Sequence, residues 1–152
     1  MKKITLLLFL CISLNVIADQ PLFIKANTTY ANDSITKAIV LYDSILASGR
    51  ESSELYYNLG NCYYKNKDWA NTIWHYEKSL QLARKNRDMG MIGLIYLSRA
   101  ETQILLSDAS MAVMYTCRAM RILVRIDDPL GQAGSLRRAW DRAKYFLTES
   151  LK

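Results

Sequence analysis

The stretch Glu54-Leu55-Tyr56-Tyr57-Asn58-Leu59-Gly60-Asn61-Cys62-Tyr63-Tyr64, continued by Thr72-Ile73-Trp74-His75-Tyr76 and Ser79-Leu80, decides how this chain folds. Its large apolar residues fall at helical spacing on both sides of Asn66-Lys67-Asp68, a cluster of turn-forming residues. Much of the pattern also occurs earlier in the chain. Ala26-Asn27-x-x-Tyr30 matches Gly60-Asn61-x-x-Tyr64, Ile39-x-x-Tyr42-x-x-x-Leu46 matches Ile73-x-x-Tyr76-x-x-x-Leu80, and Asn32 matches Asn66, all at one constant offset. A self-similar period of about 34 residues marks a stacked helix–turn–helix array, in which no single unit can bury its apolar face alone.

Tyr56-x-x-Leu59-Gly60-x-x-Tyr63, then Thr72-x-x-x-Tyr76 and Ser79, resembles a tetratricopeptide repeat (TPR) at every spacing over Glu54 to Leu82. The expected fold is all-α: a TPR-like α-solenoid of three helix–turn–helix repeats plus a C-terminal capping helix. Gly60 and Ala26 stand where the two helices of a hairpin come closest, with Thr72 and Ala38 facing them. Glycine inside a helix costs about 1 kcal/mol relative to alanine, so Gly60 is expected for packing. Asn66-Lys67-Asp68 supplies a turn and an N-cap.

The first repeat departs from the pattern at Lys25 and Thr29, where Leu and Tyr are expected, as suits a terminal unit with one face turned to water. Its turn is Asn32-Asp33-Ser34, and Gly49 and Ser52 or Ser53 close and open the helices on either side of the next connection. The third repeat follows at a longer offset, with Ala100 aligned to Gly60, Tyr96 to Tyr56, Ala112 to Thr72 and Thr116 in place of Tyr76. The extra residues fall around Leu82 to Gly93, and Ser107-Asp108 marks its turn. A capping helix is expected from Pro129 to Leu151, with Leu136, Ala139, Trp140, Ala143, Phe146 and Leu147 along one face.

Met1-Lys2-Lys3, the apolar run Ile4–Leu14 and Val16-Ile17-Ala18 before Asp19 form the three parts of a secretory signal peptide. Residues 1–18 are therefore expected to be a leader and 19–152 the repeat domain, exported to the periplasm or beyond the cell. The apolar run is short for a ~30 Å hydrocarbon core, and no stable membrane span is expected in the mature chain. Of the 20 Lys and Arg residues, Lys2 and Lys3 lie in the leader, leaving 18 against 14 acidic residues, a net of +4. Most of that excess follows Arg84. It reads as a solvated helical surface, with an anionic polymer or lipid headgroup as the alternative partner and no nucleic acid. Cys62 and Cys117 sit in separate repeats without a CxxC spacing, so small buried residues are expected rather than a disulfide framework or a zinc site.

Catalytic patterns are sparse. His75 is the one histidine, without thiolates or carboxylates at ligand spacing, and reads as surface or boundary structure. Glu51 and Glu54 read as solvated charges near a helix N-terminus. No Gly-x-Ser-x-Gly pattern is present, and the chain is not expected to be an enzyme or to hold a cofactor or metal.

The TPR resemblance implies a peptide- or protein-binding concave face lined by the first helix of each pair. It implicates Phe23, Asn27 and Tyr30 in repeat one, Tyr57, Asn58, Asn61, Tyr64 and Lys65 in repeat two, and Leu97, Glu101 and Ile104 in repeat three. Asn27 and Asn61 are expected to bond a peptide backbone. Asn27 and Asn58 match the amides of the carboxylate clamp found in some members. Phe23, Leu94 and Ser98 stand where that clamp places basic residues, so a clamp is not expected. The leader, the first repeat and Ile45–Asn61 also resemble exported TPR proteins of the Bacteroidetes aerotolerance type. The combined expectation is a non-catalytic scaffold of the cell envelope, monomeric or weakly self-associating.

Overall fold

A computed structural model describes residues 21–123, which form six α-helices with no strand among the described residues. The leader expected over residues 1–18 and the capping helix expected over 129–151 lie outside them. The helices are α1 (residues 21–31), α2 (Ile35–Ala47), α3 (Ser53–Lys65), α4 (Trp69–Lys85), α5 (Met89–Leu105) and α6 (Ala109–Leu123). The chain divides into two compact units, Met1–Glu51 and Ser52–Lys152.

Three-residue turns set the helix ends. In the turns at 32–34, 66–68, 86–88 and 106–108 the middle residue is left-handed: Asp33 (φ 59°), Lys67 (59°), Arg87 (56°) and Ser107 (60°). The third residue's N–H then reaches the carbonyl five residues back, in Ser34–Thr29, Asp68–Tyr63, Asp88–Ala83 and Asp108–Gln103, at 2.9–3.1 Å. This is the bonding of a helix C-terminus closed by a left-handed residue. In the last three turns that third residue also caps the next helix. The carboxylates of Asp68, Asp88 and Asp108 accept from the backbone N–H of Asn71, Met91 and Met111 at 3.1, 2.9 and 3.0 Å. The longer α2–α3 connection uses Gly49 at φ 82° and the Ser52 hydroxyl, which accepts from Leu55 N–H at 3.0 Å.

The difference between the two repeat offsets is distributed over three places. Helices α4 and α5 have 17 residues each where α2 and α3 have 13, and the connector between them is shorter. The extra residues expected around Leu82 to Gly93 therefore lengthen α4 and α5 equally.

In the first unit, Ala26 and Ala38 are fully buried, the Phe23 and Tyr42 rings meet edge-on at 6.0 Å, and the Tyr42 hydroxyl donates to Asn27 Oδ1 at 2.6 Å. In the second, α3 pairs with α4, α5 with α6, and α4 packs on α5. Tyr76, Leu80 and Ala83 of α4 share a core with Ile92, Ile95, Tyr96, Leu97 and Ala100 of α5 and Tyr115 and Ala119 of α6. Each such side chain removed from water contributes roughly 1.5–3 kcal/mol, alanine less. The buried hydroxyls of Thr72, Thr102 and Thr116 are satisfied by the carbonyls four residues earlier, at 2.7–2.8 Å.

Gly60 has no room for a side chain as the helices stand. A Cβ there would lie 2.5 Å from two ring carbons of Tyr76, a buried ring. The Tyr76 ring, which lies under Gly60, sets the need for glycine.

Candidate binding face on helices α3 and α5

Tyr57 leaves α3 and joins α5 directly, its hydroxyl 3.0 Å from Ser98 Oγ. Its ring lies 5.7 Å from that of Tyr76, whose own hydroxyl donates to Asn61 Oδ1 at 2.7 Å. A tyrosine of α4 thus passes between two α3 residues one turn apart, supporting one ring and fixing one amide. The bond commits the Asn61 oxygen and leaves its two N–H donors as what this side chain offers a ligand. Asn27 is held by Tyr42 in the same way in the first unit.

Around this centre, Asn58, Asn61 and Tyr64 of α3 are half-buried, as are Glu101 and Ile104 of α5, and Lys65 is exposed. The Tyr64 ring meets Trp69 edge-on at 5.8 Å. Leu97, expected on the open face, is 6% exposed and belongs to the core. Helix α5 carries apolar residues nearly all round, so its sequence marks poorly which side is covered. Leu105, at the C-terminal end of the same helix, is 54% exposed. Phe23, Asn27 and Tyr30 lie together on α1 in the first unit, with Phe23 and Tyr30 half-buried and Asn27 exposed. The structure therefore joins Tyr57 and Asn61 through Tyr76 and ties Tyr57 to α5. Tyr76 is the supporting residue that sequence reasoning did not place there, and Ser98, expected only as a departure from the clamp, anchors Tyr57. The available signal was that Tyr76 follows Asn61 at the same spacing as Tyr42 follows Asn27.

A second polar feature lies on α3 and α4. His75 is 7% exposed, buried where surface or boundary structure was expected. Its ring stacks on Tyr63 at 4.9 Å and meets Trp74 edge-on at 4.7 Å, with Tyr56 at 6.0 Å. Nδ1 is buried without a hydrogen-bond partner. Burial lowers the imidazole pKa to about 4, against a smaller opposing pull from the Asp68 carboxylate. A neutral ring among aromatics is a packing element. The aromatic residues Tyr56, Tyr63 and Trp74 were the sequence signal for its burial.

The third feature is Arg99, whose guanidinium pairs with Glu77 of α4 and lies 4.5 Å over the Tyr115 ring. Tyr115 stacks with Tyr96 at 6.0 Å, and Tyr96 takes Arg118 at 5.7 Å and a hydrogen bond from Arg84 at 2.8 Å. Among the described residues no group of three or more His, Cys, Asp or Glu side chains could hold a metal ion, and no helix is long and apolar enough to cross a membrane. Neither Cys62, which is buried, nor Cys117 is in a disulfide.

No protein-family model matches the chain. The comparison with curated proteins gives no match either.

Proposed function

We propose that this chain is a TPR-like α-solenoid of three helical hairpins and a capping helix that holds a protein or peptide segment in the cell envelope, without catalysis. The ligand lies along the face of α3 and α5. The reading is supported above all by Asn61: Tyr76 fixes its amide oxygen, so its N–H donors are held in place before a ligand arrives. An ordered donor loses less entropy on binding than a mobile one. Tyr57, anchored to Ser98, supplies an aromatic surface beside it, and Leu105 extends the apolar character toward the end of α5.

Binding to an anionic polymer or lipid headgroup through the basic second half is less well supported. Three of its cations, Arg84, Arg99 and Arg118, are engaged with Tyr96, Tyr115 or Glu77.

The test is a capture from envelope extract, followed by affinity measurement with Asn61→Asp. Aspartate keeps an acceptor for Tyr76 and removes the two donors. A captured peptide that loses at least fivefold in affinity to this variant, and little on raising the salt concentration tenfold, supports the face. Unchanged affinity for the variant removes it, and steep salt weakening favours the anionic ligand.

A further inference from the structure

The first unit carries a groove that the α3–α5 face does not use. It has a volume of about 350 Å³, is lined by Lys25, Thr29, Thr36, Lys37, Val40 and Leu41, and is almost wholly apolar between its two lysines. Val40 is 59% exposed, and Ile24, beside Lys25, is 61% exposed.

The repeat explains why the groove exists. One repeat later, the positions of Thr29, Val40 and Leu41 are held by Tyr63, Trp74 and His75, whose rings fill the space against one another. Threonine in place of tyrosine leaves that space open in the first unit.

The repeat also shows what covers such a face. Carrying the register forward into the third repeat places Arg99 at the position of Lys25, Met114 at that of Val40 and Tyr115 at that of Leu41. There α4 packs on α5. Glu77 of α4 pairs with Arg99, and Tyr76, Leu80 and Ala83 of the same helix enter the core with Tyr115. The covering helix thus brings one carboxylate, with apolar residues one position before it and three and six after it. Lys25 keeps the positive charge at the matching position of the first unit, and Lys37 adds a second where the third repeat has Met111.

We infer that the α1–α2 groove docks an amphipathic helix of a partner protein, its apolar stripe on Val40 and Leu41 and its carboxylate on Lys25, as Glu77 sits on Arg99. The inference rests on the internal repeat and stands apart from the α3–α5 reading.

The probe is a stapled, fluorescein-labelled peptide with the sequence of residues 69–85, the helix that covers the equivalent face. Stapling offsets the nucleation cost that leaves a 17-residue helix marginal in water. Titrated with the full chain, it should show saturable anisotropy. Val40→Asp should weaken binding tenfold or more while leaving the thermal melt unchanged, because Val40 is largely exposed. Lys25→Glu should weaken binding at least threefold, and a peptide carrying Glu77→Lys should recover most of that loss. No saturable binding, or binding indifferent to both protein variants, overturns the inference. So does a concentration-dependent dimer in sedimentation that Val40→Asp dissolves, since the groove then belongs to a second copy of this chain.

Discussion

The Tyr76 hydroxyl donates to the Asn61 amide oxygen at 2.7 Å across a separation of 15 residues, and Tyr42 does the same to Asn27 at 2.6 Å. The recurrence in sequence is therefore a recurrence of one hydrogen bond. Asn61→Leu removes an acceptor of the Tyr76 hydroxyl, and losing such a hydrogen bond at a buried group costs about 1–3 kcal/mol. Tyr76→Phe leaves only a half-exposed amide and costs about 1 kcal/mol. Denaturant melts should rank Asn61→Leu as the more damaging. Because Asn61→Leu also removes the donors, its effect on ligand affinity should be read against Asn61→Asp, which keeps an acceptor for Tyr76.

Gly60→Ala should destabilise the protein although alanine is the better helix former. The propensity gain is about 1 kcal/mol, and forcing a buried ring to move costs typically about 1–3 kcal/mol. Ala26 lies at the equivalent position of the first unit, so such a hairpin can adjust to one methyl group; the net loss for alanine should be small. Gly60→Leu has no such precedent and should cost more than alanine by at least about 1 kcal/mol. Combining Gly60→Ala with Tyr76→Leu should be less destabilising than the sum of the single changes, because the ring that the new Cβ strikes is gone. Additive losses would show that the two residues do not share the space.

Lys67→Gly should stabilise the fold by about 0.5–1 kcal/mol, since Lys67 is exposed and held at φ 59°, a conformation that costs a residue bearing a Cβ. Arg87→Gly and Ser107→Gly should act likewise, and the three should add, each lying in a different turn. Thermal melts of the single and triple variants check this; a melting temperature that falls would assign these side chains a contact that outweighs the backbone strain.

His75 should make stability pH-dependent. Its pKa falls from about 6.5 in the unfolded chain to about 4 in the fold. Between these values the unfolded state takes up a proton that the folded state refuses, so stability declines as pH drops from about 6.5 to 4 and this contribution levels off below. The full effect is at most about 3 kcal/mol and less where solvent screens the ring. His75→Phe keeps a ring against Tyr63 and removes the titration. The difference in unfolding free energy between wild type and this variant should change across that window; a constant difference would show that His75 titrates alike in both states.

The helical hairpins were legible because their information is local. Asp68 follows a helix end and caps the next one, Gly49 has the required positive φ, and the two unequal repeat offsets reappear as helix lengths. The contacts were less legible because each joins residues on different elements. Glu77 and Arg99 are unremarkable charges until α4 lies against α5, and the need for Gly60 comes from a ring on the following helix. Leu97 and Ile104 have similar chemistry and lie two turns apart on one face of α5, and only packing separates the core residue from the half-exposed one.

The extra residues in α4 and α5 have a consequence for how this chain tolerates insertion and deletion. Four residues turn an α-helix through about 400°, so a paired gain of four shifts each face by only about 40°. Two antiparallel helices that lengthen together keep meeting along their whole length, whereas a gain in one alone would leave its last turn without a neighbour. Deleting one turn from both α4 and α5 should therefore give a shorter protein that still folds, while either deletion alone should not. Length is inherited here in matched pairs of turns, and the indel map of the chain should be quantised accordingly.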